Sequence, residues 1–124
     1  MNDSSIVPRA SVVVVPRDHF SSTARSLRSL VETIDDRHEI VYVAAGLPRG
    51  VRKEVARLAE SRPMRIVRRR GYLSPTAARN LGAAYVSPES DLLAFVDSDV
   101  VFREGWLESL LACATREAQT WSLR

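Results

Sequence analysis

The chain is 124 residues long, 45% hydrophobic and 27% charged, with a net charge of +3. That length suits one domain with one core and leaves no room for a second, in a composition typical of a folded globular protein rather than a disordered or fibrous one. A single cysteine, Cys113, excludes an internal disulfide and, with only two histidines, argues against a closed zinc site, so any metal would be held by oxygen.

In chain order, residues 1–9 lack periodicity and read as a loose leader, 10–118 as the folded domain and 119–124 as a tail. Order begins at Ser11, and Val12 to Val15, stopped by Pro16, reads as a strand buried on both faces, the centre of a parallel sheet. After a loop from Pro16 to Phe20 that includes Asp18 and His19, Ser21, Ser22 and Thr23 offer N-caps to a helix carrying Leu27, Leu30, Val31 and Ile34 at helical spacing. Ile40 to Val43 is a second strand, Ala44 to Pro48 a turn, and Val51, Val55 and Leu58 mark a second helix. A third strand is expected from Met64 to Val67, followed by a loop from Arg68 to Leu73. Ser74-Pro75 then places a hydroxyl at the N-cap and a proline at the first position of a helix carrying Ala78, Leu81 and Tyr85. Pro88 interrupts, and Leu92 to Val96 reads as a fourth buried strand running into Asp97-Ser98-Asp99. The last helix starts near Gly105 and carries Leu107, Leu110, Leu111 and Ala114, with Cys113 expected as a small buried apolar residue.

Four strand–helix units in succession predict an α/β fold: three layers, Rossmann-like, a mostly parallel sheet with helices on both faces. Ligands of such sheets bind at the carboxyl ends of the strands, here the loops after Val15, Ala44, Val67 and Val96. At the last of these, two carboxylates two residues apart would project to one side if the strand continued, and a hard divalent ion would offset their repulsion. Spacing alone weighs that reading evenly against two aspartates that cap the turn. Arg68, Arg69 and Arg70 sit at another strand end and read mainly as a solvated charge run; His19 beside Asp18 reads as plain loop.

Charge is uneven: residues 1–70 carry 14 basic and 8 acidic side chains, residues 71–124 carry 4 and 7. The basic residues are scattered over several elements and aromatics are few, which weighs against nucleic-acid binding. Apolar runs fall far short of the ~20 residues of a membrane span, and the N-terminus lacks the apolar stretch of a secretory signal. A cytoplasmic location is expected, with peripheral membrane contact left open. The glycine patterns of dinucleotide-binding and P-loop proteins, and the nucleophile elbow of hydrolases, do not occur.

Four segments in order resemble glycosyltransferase family 2: Ser11 to Pro16, Ala78-Arg79-Asn80-Leu81-Gly82, Leu93 to Asp99, and Gly105-Trp106-Leu107. The resemblance implies the nucleotide-binding half of a GT-A fold and a nucleotide-diphosphate sugar as ligand. It further implies Mn2+ or Mg2+ held by Asp99 and supported by Asp97, which would otherwise contact the ribose. Pro16 and Arg17 would border the nucleotide, with Ser74, Arg79 and Asn80 beside the donor pocket. Two departures stand out. The turn after the second strand lacks the carboxylates that help family members hold the base, and the acceptor-binding half with its catalytic base would lie beyond Arg124. The expectation is therefore a truncated donor-binding domain for an unknown acceptor, joined by a second copy or a complementing acceptor-domain chain. The alternatives are a non-catalytic binding domain and, less well matched for want of a glycine-rich loop, a nucleotidyltransferase.

Overall fold

The computed structural model describes residues 8–17 and 22–122, with side chains described up to Arg116. Four strands, β1 (Ala10–Val15), β2 (Glu39–Ala45), β3 (Arg65–Arg69) and β4 (Leu92–Asp97), alternate with four helices, α1 (Thr23–Thr33), α2 (Arg49–Ser61), α3 (Pro75–Ala83) and α4 (Trp106–Ser122). The strands form one parallel sheet in the order β3-β2-β1-β4. The expected α/β class and parallel sheet are present, and the four-valine strand lies between two neighbours with all six of its residues buried.

Alternation along the strands builds two cores. Val12, Val14, Ile40 and Tyr42 face one side, where Leu27 and Leu30 of α1, Val55 of α2, and Leu107 and Leu111 of α4 cover them. Val13, Val15, Val41, Val43 and Val67 face the other, under Ala78 of α3 and the partly buried Leu73, Leu81 and Val86. Helices thus lie on both faces, three on one and one on the other.

Several local expectations differ from the structure. β4 is an edge strand rather than a buried one: α3 packs over β1 and β2, leaving Leu93 and Phe95 each 42% exposed on that face. Arg68 and Arg69 belong to β3 rather than to a loop. They pair with Ala44 and Ala45 of β2, and an edge strand can hold charged side chains outward while its backbone bonds inward. Cys113 is exposed, because Leu107 and Leu111 occupy the inner line of α4. Helix α4 continues to Ser122, through much of the expected tail. Of the offered caps, Ser22 takes the N-cap position of α1 without a side-chain bond, Thr23 is buried in the first turn, and Ser21 lies outside the described residues.

At the amino end of the sheet a polar knot ties the units together. Arg9, expected in the leader, donates its backbone N–H to Asp91 at 2.9 Å and accepts from the N–H of Asp91 at 2.7 Å. Buried His38 accepts the Ala10 N–H on Nδ1 at 3.0 Å, and buried Arg62 donates to the carbonyls of His38, Asp35 and Pro63. Burial pushes the pKa of His38 below its ordinary value, with Arg37 acting in the same direction, and burial also lowers that of Arg62. In the core, burial holds the Tyr42 phenol well above its usual range.

Candidate functional site

From β1 the chain steps outward to β2 and then β3, and α3 returns it across the sheet to place β4 on the opposite side of β1. Sheets of this kind hold ligands at such a reversal, at the carboxyl ends of the strands on its two sides, here β1 and β4. The residues at its two lips are Pro16 and Arg17 on one side and Asp97, Ser98 and Asp99 on the other, with Val15 and Asp97 in register.

Ser98 joins the lips. The residue is 2% exposed, its N–H donates to the Val15 carbonyl at 3.0 Å, and its hydroxyl accepts the Arg17 N–H at 3.1 Å. Arg17 thereby stands beside Asp97, guanidinium to carboxylate at 3.9 Å. Both side chains are more than a third exposed, so water screens this pair and it is worth ~1 kcal/mol at most. The strand ends at Asp97, and Ser98 and Asp99 form a turn, so strand alternation does not set the direction of Asp99. Asp99 is exposed.

The segment after Asp99 is strapped to α1 by hydroxyls. Ser26 donates to the Val100 carbonyl at 2.5 Å, the Phe102 N–H donates to Ser29 at 2.9 Å, and the Trp106 indole N–H donates to Thr33 at 3.0 Å. Phe102 and Trp106 pack against each other with ring centroids 4.6 Å apart and planes tilted by 41°. These α1 hydroxyls, and the clasp made by Ser98, were not among the expected site residues. Their only sequence signal is that Ser26, Ser29 and Thr33 interrupt the apolar arc of α1, where a hydroxyl needs a partner.

At the ends of β2 and β3 lies a cavity of about 540 Å³, floored by Ala44, Leu47, Val55 and Ile66 and walled by Arg52 and Arg68 to Arg70. Among the described residues no acidic side chain lines it. The turn above it closes through Gly46, whose φ of +65° is the left-handed conformation that suits glycine. A larger cavity, about 720 Å³, lies at the amino ends of the strands around His38 and Arg62. It is at the wrong end of the sheet for the chemistry at Asp97; His38 Nδ1 and the Arg62 guanidinium NH groups serve the backbone, while His38 Nε2 and Arg62 Nε are buried without a partner.

Helix α3 begins as expected: Ser74 caps it by accepting the Ala77 N–H at 3.2 Å, with Pro75 in the first turn. Ala78 and Gly82 are buried against the sheet, whereas Arg79 and Asn80 are exposed. The structure therefore brings Pro16, Arg17 and Asp97 to Asp99 together, and presents Arg79 and Asn80 on the outer side of a neighbouring helix. Asp18 and His19 lie outside the described residues.

A divalent ion fits the donor chemistry here. Two open carboxylates supply part of an oxygen shell, and Mg2+-like ions commonly complete theirs with water and phosphate rather than with further protein ligands. Among the described residues no group of three or more acidic, histidine or cysteine side chains forms a closed metal cage.

The profile of Glycosyl transferase family 2 matches residues 11–120. The chain belongs to glycosyl transferase family 2. The pre-mycofactocin glycosyltransferases of two Mycobacterium tuberculosis strains, CDC 1551 and H37Rv, are 60% identical to it over 37 residues, 30% of this chain and 7% of theirs. A mannosyltransferase from Pyrobaculum calidifontis, solved in complex with GDP-Man and Mn2+, superposes with a TM-score of 0.66 at 22% identity, covering 81% of this chain and 30% of that one. The fold is accordingly that of the GT-A glycosyltransferases, and the chain spans less than a third of the mannosyltransferase it matches.

Proposed function

We propose that this glycosyltransferase domain binds a nucleotide-diphosphate sugar across the carboxyl ends of its strands, with Asp97 and Asp99 holding Mn2+ or Mg2+ against the diphosphate. The observation that supports it best is the clasped pair of lips: an arginine and two solvent-open aspartates at the topological reversal of a GT-A sheet. An ion held by Asp97 and Asp99 would supply Lewis acidity toward the charge on a departing nucleoside diphosphate. Arg17 contributes a permanent positive charge beside it. The arginine-walled cavity lies at the ends of β2 and β3, two to three strand spacings from β4, or about 10–14 Å at ~4.8 Å each. A nucleoside diphosphate covers such a span, which places the base over Leu47 and Ala44 and the phosphates at the lips. Without a carboxylate in the turn 44–48, the base meets arginine donors and backbone groups.

Transfer also needs a base that takes the proton of the acceptor hydroxyl within hydrogen-bond reach. That group is expected from an acceptor-binding half, which would cover the open edge at Leu93 and Phe95. The carboxylate-free turn at residues 44–48 supports one second reading, a domain that binds nucleotide-sugars without turning them over.

Calorimetric titration with UDP- and GDP-sugars, in Mn2+ and again in EDTA, tests the proposal. Binding should require the metal and weaken at least tenfold in Asp99→Ala. Metal-independent binding, or an unchanged Asp99→Ala, would refute the site. Hydrolysis or transfer of the sugar by the chain alone would refute the second reading.

A further inference from the structure

Residues 49–70 carry nine basic and two acidic side chains, a local charge of +7 in a chain whose remainder is −4. Arg62 is turned inward to backbone carbonyls; the other eight cations are exposed. On α2, Arg49, Lys53 and Arg57 recur every fourth residue and so form one line along the helix, with Arg52 beside them. Glu54 pairs with Arg57 and with Arg28 of α1. Among the described residues no carboxylate pairs with Arg49, Arg52, Lys53, Arg65, Arg68, Arg69 or Arg70. Guarding an edge strand against other strands explains the cations of β3. It does not explain those of α2, where like charges four residues apart cost helix stability unless an external anion compensates.

We propose that this cationic face of α2 and β3 docks the domain on an anionic lipid surface. Protein partners anchor through aromatic side chains set in pockets, and α2 has no aromatic residue. Binders of single-stranded nucleic acid add aromatic side chains on which the bases stack, and α2 has none. An anionic leaflet asks only for a cluster of Lys and Arg at its surface. Tyr72, 67% exposed just past Arg70, adds an amphipathic ring of the kind that settles among lipid headgroups. Arg52 and Arg68 to Arg70 also wall the cavity at the strand ends, whereas Arg49, Lys53 and Arg57 do not, so these three test docking independently of the donor reading.

Co-sedimentation of the chain with phosphatidylcholine vesicles, with and without phosphatidylglycerol, tests the proposal. Binding should appear only with the anionic lipid and fall as salt rises. The triple variant Arg49→Gln, Lys53→Gln, Arg57→Gln should lower affinity on the order of a hundredfold, from roughly fivefold per cation. Its circular dichroism melt verifies folding, and Lys53→Gln alone, expected to lose about fivefold, serves if the triple variant fails to fold. Binding equally to neutral vesicles, no binding to anionic ones, or variants that fold and bind unchanged would overturn the proposal. Tighter binding to duplex DNA than to anionic vesicles at equal phosphate would assign the face to nucleic acid instead.

Discussion

Replacing Gly82 with alanine puts a methyl group where the structure has none to spare. The new Cβ would sit 2.3 Å from Cγ1 of Val13 and 3.0 Å from Cγ2 of Val43, against an ordinary carbon–carbon contact of ~3.5–4.0 Å. Both valines are fully buried in the two inner strands, so neither side chain has room to retreat, and α3 must lift from the sheet. Overpacking of this kind costs about 1–3 kcal/mol, while alanine regains up to ~1 kcal/mol of helix propensity over glycine. The net expectation is a loss of about 1–2 kcal/mol and a Tm lower by about 3–10 °C. Gly50→Ala is the internal control: it is helical, nothing lies within 4 Å of its added methyl, and it should gain up to ~1 kcal/mol. Urea unfolding followed by circular dichroism measures both. A Gly82→Ala variant as stable as the parent would show that α3 does not pack this closely, and with it that Arg79 and Asn80 are not held where described.

Ser26→Ala removes the donor to the Val100 carbonyl, at a cost of about 0.5–1.5 kcal/mol. It should weaken metal-dependent nucleotide binding several-fold at a temperature where the variant is fully folded; unchanged binding there would mean that the hydroxyl serves stability alone. Stability should also fall below neutral pH through His38. Its folded pKa is depressed, chiefly by burial, so the unfolded chain takes up a proton near pH 6.5 while the folded one does not. The contribution is whole above ~6.5 and is lost as pH drops through that value toward the lower folded pKa. Urea midpoints at pH 7.5 and 5.5 measure it, and His38→Asn should flatten the drop. Asp35, also depressed in the fold, acts only near pH 4 and below, outside that window.

The central strand, the alternation of units and the capped start of α3 were legible because each follows from local pattern: four β-branched residues in a row, helical spacing, Ser-Pro at a helix entry. Asp97 to Asp99 at a strand end was legible for the same reason. What escaped depends on neighbours distant in sequence. An apolar run such as Leu92 to Val96 cannot tell whether a helix covers both its faces, and β4 proved half open because α3 sits over β1 and β2. Arg68 and Arg69 looked like loop by charge, yet backbone pairing to β2 needs no apolar side chain. Cys113 looked buried by type, although its position on α4 turns it outward. The hydroxyl strap from α1 to residues 100–106 joins groups more than seventy positions apart, which no local pattern records.

The most direct measurement is paramagnetic: amide NMR spectra of the isotopically labelled chain, titrated with Mn2+ in the presence and absence of a nucleotide-sugar. Signals of Arg17 and Asp97 to Val100 should broaden first, and far more strongly with the nucleotide present. Broadening centred on Asp36, His38 and Glu39 at the opposite end of the sheet, or spread evenly over the acidic surface, would contradict the account.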